Sequence, residues 1–237
     1  MSETLSRLSS VKTDVSSCYY LTYKFLFKNL KSAIESNAKG DILDIGCGNK
    51  PYMSFFTKYV KSYIGCDIAQ SDKNLVDIIC KATDIPLQDE SKDTVFSTQV
   101  IEHVADHKKM LAEAFRILKP GGTLIISGPM HWEHHEIPYD FFRFTKYGFQ
   151  YILSESGFKQ IEINPCGGKW ALSGQVLLNS IRSSFEKRSF KRKLAKGIYI
   201  VFGLKWIINF FFGWLEKMDT DYSATLNFVV VARKPTL

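Results

Sequence analysis

A short β-prone run, Asp41-Ile42-Leu43-Asp44-Ile45, breaks into Gly46-Cys47-Gly48, and Pro51 stands ready to open a helix over 52–60. Apolar residues that run into two closely spaced glycines predict a strand with a sharp turn at its end. Glycine there lets backbone N–H groups approach a ligand with no Cβ in the way. The unit then recurs along the chain. Residues 62–66, closed by Asp67, read as a second strand, 76–82 as a third and 94–98 as a fourth. Asp106 is placed to cap a helix that carries Met110, Leu111, Ala114, Phe115 and Leu118 on one face and stops at Pro120-Gly121-Gly122. A fifth strand at 123–127, a helix at 147–155, a sixth strand at 159–163 and a last strand at 225–231 complete the pattern. A long amphipathic helix over 16–38 precedes it. Alternating β and α units fold as an α/β parallel sheet with helices on both faces, and such a sheet takes its ligand at the carboxyl ends of its strands.

With 237 residues and 45% apolar content the chain is long enough and apolar enough for one globular domain with a real core. Its formal charge of +7 is local. Between Arg182 and Lys205 stand eight basic residues against Glu186 alone, which leaves the remainder neutral. A basic segment rather than a basic domain argues against nucleic acid as the partner. The five cysteines, Cys18, Cys47, Cys66, Cys80 and Cys166, form no C-x-x-C pair and read as reduced thiols of an intracellular protein. The Ser/Thr-rich start has no apolar stretch behind positive charge, so no secretory signal is expected and the cytoplasm is the expected location.

Asp67 lies 19 residues beyond Gly48, at the end of the second strand, where a carboxylate accepts the hydroxyls of a ribose. Pro51 stands where a dinucleotide fold carries the last glycine of G-x-G-x-x-G, which disfavours a pyrophosphate. In order along the chain, Asp41–Gly48, Asp67, Thr83-Asp84-Ile85-Pro86, Gln99 to Val104 and Leu118-Lys119-Pro120-Gly121-Gly122 resemble the motifs of the class I S-adenosylmethionine-dependent methyltransferases, of the methyltransferase domain 11 type. The resemblance covers residues 41–157 and the closing strand. It implies a Rossmann-like seven-stranded sheet, parallel with one antiparallel strand. Its implied cofactor is S-adenosylmethionine, with Gly46, Cys47 and Gly48 around the methionine moiety, Asp44 on its ammonium, Asp67 and Ile68 at the ribose, Asp84 and Ile85 at the adenine, and Gln99 and His103 from the loop after the fourth strand. A sulfonium cation with an ammonium favours several carboxylates around one crevice. Asp84 also suits a turn ahead of Ile-Pro, and His103 a packed helix end.

Methyl transfer is an in-line displacement, so rate comes from holding the acceptor atom against the methyl group. The stretch after the fifth strand, 131–145, holds His131, His134 and His135, the acids Glu133, Glu136 and Asp140, and Arg143. If a base acts on a hydroxyl, His135 is the first choice, with Glu136 or Asp140 to orient it and Arg143 beside them. The other reading is structural: Arg143 pairs with Asp140 or Glu136 and stiffens a lid. His131, His134, His135 and Glu136 offer metal ligands, but no recognised ligand spacing occurs and no metal is expected. Part of this stretch resembles the His-Glu-x-Pro-x-Asp-x-x-Arg-x-Thr run of a bacterial subgroup associated with surface glycan or lipid pathways. The absence of an Asn/Asp-Pro-Pro-aromatic run after the fourth strand marks down base amino-methylation. Pro165-Cys166 sits after the wrong strand for a cytosine C5 nucleophile.

About fifty residues separate the last two strands, longer than an ordinary loop. The segment 169–222 contains a helix at 172–183, the basic run and the apolar stretch 198–215. A membrane span is disfavoured by length, by Lys205 and by topology. Lys205, Asn209 and Glu216 fall on one side of a helix, opposite Trp206, Phe210, Phe211 and Trp214. Residues 182–215 therefore suit an interfacial helix whose cations meet anionic head groups at the inner face of the cytoplasmic membrane. Packing on the domain or on a second subunit, as a homodimer, is the alternative. The whole chain reads as a single methyltransferase domain over 1–237: an N-terminal helix at 16–38, a cofactor-binding core at 41–168, the insertion at 169–222 and a closing strand at 223–234. O-methylation of a small-molecule or lipid-linked, glycan-type acceptor is the expected reaction. RNA methylation through the basic segment and non-catalytic binding of the cofactor are the rival readings.

Overall fold

The structure is a computed structural model that describes residues 8–184 and 203–236. They group into two compact units. One holds Asn29–Asn164 and Phe228 onward, with the residues before 12; the other holds Lys12–Lys28 and Pro165–Asn227.

In chain order the elements are α1 (Tyr20–Asn37), β1 (Gly40–Ile45), α2 (Met53–Phe56), β2 (Val60–Asp67), β3 (Ile78–Ile79), β4 (Lys92–Thr98), a 3-10 turn (Ile101–His103), α3 (His107–Ile117), β5 (Leu118–Pro129), α4 (Lys146–Glu155), β6 (Lys159–Cys166), α5 (Lys169–Ser184), α6 (Leu204–Met218) and β7 (Asn227–Arg233). The strands form one seven-stranded sheet in the order β3-β2-β1-β4-β5-β7-β6. β1 lies parallel to β2 and β4, β2 to β3, and β4 to β5. β7 runs against them: the start of β5 meets the end of β7, with Gly121 donating to the Lys234 carbonyl and Lys234 to that of Gly122, both at 3.0 Å. This is the Rossmann-like sheet expected from the sequence.

Apolar runs with no alternation, such as Ile42-Leu43 in β1 and Val95-Phe96 in β4, are buried on both faces, as a sheet covered by helices on both sides requires. Leu43, Ile45, Val95, Leu124, Ile126, Phe149, Phe158 and Val230 belong to one continuous core. Asp106 caps α3 by accepting Lys109 N–H at 3.0 Å, and Thr145 caps α4 through Gly148 N–H at 3.0 Å.

Three element expectations are corrected. The helix after Pro51 is one turn, Met53–Phe56, because β2 already begins at Val60 to pair with Gly40. The third strand shrinks to Ile78–Ile79, an edge with a single neighbour. Pro120-Gly121-Gly122 is not a helix stop. α3 ends at Ile117, and the tripeptide lies within β5, where the register jumps from Lys92↔Leu118 to Thr94↔Thr123. Gly121, at φ +74°, makes that bulge possible.

In the second unit polar side chains do the internal tying. Gln175 on α5 accepts Thr22 N–H and donates to the Cys18 carbonyl at 2.7 Å and to Asn179 at 2.9 Å. Asn209 on α6 donates to the carbonyls of Val15 at 2.7 Å and Ser17 at 2.8 Å. Glu216 accepts Gly168 N–H at 2.6 Å and Ala171 N–H at 3.0 Å, satisfying the first turn of α5 with a carboxylate. Asn209 and Glu216 are buried, while Trp206, Ile207, Phe210, Phe211 and Trp214 are 47 to 59% exposed. The polar side faces inward and the aromatic side faces out. Among the described residues no helix is long and apolar enough to cross a membrane. The basic cluster from Lys187 to Lys196 and the start of the apolar stretch, 198–202, lie outside the described residues.

Candidate active site

Parallel strands β1, β2, β4 and β5 carry their carboxyl-end loops to one edge of the sheet. The turn after β1 contains Gly46 at φ +75° and Gly48 at φ +48°. A Cβ on Gly46 would strike Val100 Cγ2, so the loops after β1 and β4 are in direct contact. The N–H groups of this turn are not open to a ligand as the sequence suggested. Those of Gly46 and Cys47 donate to the Cys66 carbonyl at 2.8 and 3.0 Å, and that of Gly48 donates to Asp67 Oδ2 at 2.9 Å. The parallel pairing of β1 with β2 continues into the turn and consumes them. The consequence is chemical: the crevice presents carboxylates rather than an anion-binding nest, which suits a cation and not a pyrophosphate.

Asp67 is buried, and its Oδ1 accepts Ile68 N–H at 2.7 Å. A carboxylate offers about four acceptor sites, the chemistry that ribose hydroxyls need. Ile68 beside it is 67% exposed, an apolar platform at the crevice. Asp44 is fully buried and accepts the Tyr63 hydroxyl. Burial pushes its carboxyl up to about 7; the Tyr63 hydrogen bond opposes this and the nearby Asp67 charge adds to it. Lys50 is committed to Asp77 at 2.5 Å. The Cys47 side chain packs on Gly65, where there is no Cβ to meet it, and burial, with Asp44 and Asp67 nearby, pushes its thiol up to about 12. It is a packed thiol, not a nucleophile.

Asp84 is exposed, and its N–H donates to the Lys81 carbonyl at 3.0 Å. Ile85 is buried and donates N–H to Glu113 Oε2 at 2.9 Å, while Arg116 donates to the Ile85 carbonyl at 3.0 Å and pairs with Glu113 at 2.8 Å. This Glu113–Arg116 pair, which clamps the expected adenine segment, was missed from the sequence. Its signal was an acid and a base three apart on the polar face of α3.

A second cluster of polar side chains lies where the loops after β4 and β5 meet. Gln99, at φ +55°, donates from its backbone to the Ser127 carbonyl at 3.2 Å and from its side chain to Ser127 Oγ at 3.1 Å. Glu102 is completely buried, and among the described residues neither carboxylate oxygen has a hydrogen-bond partner. Burial pushes its carboxyl up to about 8. His103 bonds through Nδ1 to the Tyr139 carbonyl at 2.9 Å, while its Nε2 lies 3.9 Å from Glu102 Oε1 and 3.7 Å from Glu136 Oε2. The His135 ring meets it edge to face at 4.6 Å. Burial, then the neighbouring His103, lowers the His135 pKa, so this imidazole is neutral near pH 7.

The segment 131–145 folds back as a lid. Phe141 and Phe142 donate N–H to the Glu102 carbonyl at 3.0 and 3.2 Å. Arg143 grips both oxygens of Asp140 at 2.6 and 2.8 Å and spends further donors on the carbonyls of Phe142 and Glu133. Those bonds hold the Asp140 carboxyl well below the usual range. Asp140 also accepts His135 N–H at 3.2 Å. Asp140 and Arg143 therefore brace the lid and orient His135, and Glu136 reaches His103. His131 and His134 are exposed, so the three histidines of the lid do not converge. The group that does come together is Glu102, His103 and His135. Glu102 was missed because nothing in Gln99-Val100-Ile101-Glu102-His103 distinguishes a buried acid from an exposed one.

Residues 43–126 match the family model described as a methyltransferase domain. A probable S-adenosylmethionine-dependent methyltransferase of Mycolicibacterium smegmatis is 33% identical over 97 residues, which cover 38% of each chain. A ubiquinone biosynthesis O-methyltransferase of Rhodopseudomonas palustris is 24% identical over 174 residues, covering 58% of this chain and 67% of the other. Among solved structures, Haemonchus contortus phosphoethanolamine N-methyltransferase 2 in complex with S-adenosylmethionine superposes with a TM-score of 0.54 at 20% identity, over 88% of this chain and 53% of that one. The matches to the first curated relatives span 35 to 51% of those proteins' length.

Proposed function

The chain belongs to the class I S-adenosylmethionine-dependent methyltransferases, and we propose that it transfers the donor's methyl group to an oxygen of a small-molecule or lipid-linked acceptor, a glycan intermediate being the class favoured by its lid. The observation that carries this reading is the pair of buried carboxylates, Asp44 and Asp67, around a glycine turn whose N–H groups are internally spent. When bound, S-adenosylmethionine supplies a methyl group on a sulfonium, which departs as a thioether under in-line attack. In this reading Asp67 takes the ribose hydroxyls with Ile68 beside it, Asp44 attracts the ammonium, Ile85 and Asp84 serve the adenine with Asp84 at its amino group, and Gly46 and Gly48 leave room for the methionine moiety. Gln99, locked to Ser127, shapes the floor between the donor and the lid. His135 offers a neutral lone pair at the acceptor end, the property that removal of a hydroxyl proton needs. Asp140 and Arg143 keep it there, and Glu136 completes the acidic rim.

The exposed aromatic side of α6, together with the cations between Arg182 and Lys205, supports a peripheral association with an anionic membrane surface. Such docking would concentrate the enzyme where a lipid-linked acceptor resides, at the cytoplasmic face. The reaction is tested by incubating the protein with S-adenosylmethionine and panels of hydroxylated lipids and nucleotide sugars while following S-adenosylhomocysteine. Product formation that requires an acceptor hydroxyl supports the reading. Turnover only on amino acceptors or RNA would replace it.

A further inference from the structure

We propose that Glu102, His103 and His135 form a binding site for a divalent first-row transition-metal ion at the acceptor end of the crevice. One ligand atom of each residue lies within 4.8 Å of the other two. A central point is then within about 2.8 Å of all three, and small side-chain rotations reach the roughly 2.1 Å of a metal–ligand bond. Two imidazoles and one carboxylate are a donor set for such ions, and three protein ligands leave positions open for substrate.

Two independent features point the same way. Glu102 is fully buried with neither oxygen hydrogen-bonded among the described residues, and the His103 imidazole lies 3.9 Å from its Oε1. A buried polar group without a hydrogen-bond partner is costly, and coordination to an ion would give both oxygens a partner. The histidines are also oriented as ligands are. His103 Nδ1 is bonded to the Tyr139 carbonyl at 2.9 Å and His135 Nδ1 to the Glu133 carbonyl at 3.2 Å. Each backbone acceptor fixes the proton on Nδ1 and leaves the Nε2 lone pair for an ion, the outer support usual around metal-bound histidine. Two further carboxylates lie beside the ligands, Glu136 at 3.7 Å from His103 Nε2 and Asp140 at 3.6 Å from His135 Nδ1.

This inference rests on the methyl-transfer reading for its chemistry but not for its site. An ion held here takes the acceptor hydroxyl at an open position and lowers its pKa. The O–H proton passes to Glu136 and on to solvent. The oxygen's electron pair forms the bond to the methyl carbon while the carbon–sulfur bond breaks and its pair stays on sulfur. With the ion bound, the His135 lone pair serves as a ligand, and Glu136 replaces His135 as the group that takes the proton.

The test uses the full chain stripped with chelator and titrated with cobalt(II) chloride, followed by visible absorption, alongside calorimetric titration with S-adenosylmethionine. The expected result is one cobalt per chain with ligand-field bands. They should be lost in Glu102→Gln and His135→Ala and kept in His131→Ala and His134→Ala. Glu102→Gln keeps the shape of the site and removes the buried charge, so its fold, checked by circular dichroism, should persist. Cobalt binding that is absent, or unchanged in both site variants, overturns the proposal. Asp67→Ala separates the two claims: it should lose the donor and keep the cobalt spectrum, so a chain that binds cobalt but no donor refutes the methyl-transfer reading and leaves the metal site standing.

Discussion

Tyr63 donates its hydroxyl to Asp44 across adjacent strands β1 and β2, two residues that lie side by side only because Ile42 pairs with Tyr63 and Asp44 with Gly65. That bond holds a buried carboxylate at the mouth of the glycine turn, with a pKa near 7 when no cation is present. A raised carboxyl pKa has a definite sign. Between the ordinary value of 3.8 and about 7 the unfolded chain is ionised and the folded chain protonated, so stability is lost as pH rises through that window. A cationic donor favours the ionised form. Donor affinity should therefore rise with pH through about 7 and then level. Tyr63→Phe should move that midpoint upward, and Asp44→Asn should flatten it while stabilising the free protein at pH 8. Calorimetry and thermal unfolding between pH 6 and 8.5 read both effects.

Gly46→Ala should abolish donor binding. Its φ of +75° and the Val100 side chain where a Cβ would stand each oppose any larger residue. The backbone strain alone costs on the order of 1–3 kcal/mol. Thermal unfolding should show the loss of stability, and calorimetry the loss of affinity.

Arg143→Ala should loosen the lid without touching the donor. Removing the guanidinium leaves Asp140, whose side chain is 4% exposed, without its bidentate partner. For a pair with a quarter of the arginine in solvent, a cost of about 2 kcal/mol is reasonable. Acceptor KM should rise while donor affinity stays constant. Arg143→Lys should fail to restore it, because a lysine cannot span both oxygens.

On α6 the two sides should respond oppositely. Asn209→Leu removes the donor to the Val15 and Ser17 carbonyls and should destabilise the chain by about 1–3 kcal/mol. Trp206→Ser with Phe210→Ser should leave stability nearly unchanged and release the protein from anionic vesicles in flotation. Retention on vesicles by that double variant would reject the exposed aromatic side as the docking surface.

The alternation of strands and helices was legible because the central β runs carry contiguous apolar residues, as in Ile42-Leu43 and Val95-Phe96, and because Asp106 marks the start of α3. Asp67 was picked out by its distance from the glycine turn and Asp44 by the resemblance, and both are buried beside that turn. What escaped is tertiary. No local signal tells that the Gly46, Cys47 and Gly48 N–H groups are taken by Cys66 and Asp67. None tells that Pro120-Gly121-Gly122 sits in a bulge of β5 rather than ending α3. The inward-facing polar stripe of α6 was visible as a stripe, but only its hydrogen bonds to Val15, Ser17, Gly168 and Ala171 show which way it points. His135 was singled out among three histidines of one loop, yet its partners Glu102 and His103 come from the 3-10 turn after β4.

The most direct test is calorimetric titration of the intact chain with S-adenosylmethionine, S-adenosylhomocysteine and NAD, beside Asp67→Ala. Binding of the first two alone is expected, weakened about 100-fold in the variant, as loss of two hydrogen bonds to a buried carboxylate implies. Binding of NAD, or of S-adenosylmethionine with equal affinity in Asp67→Ala, would contradict the account of the crevice.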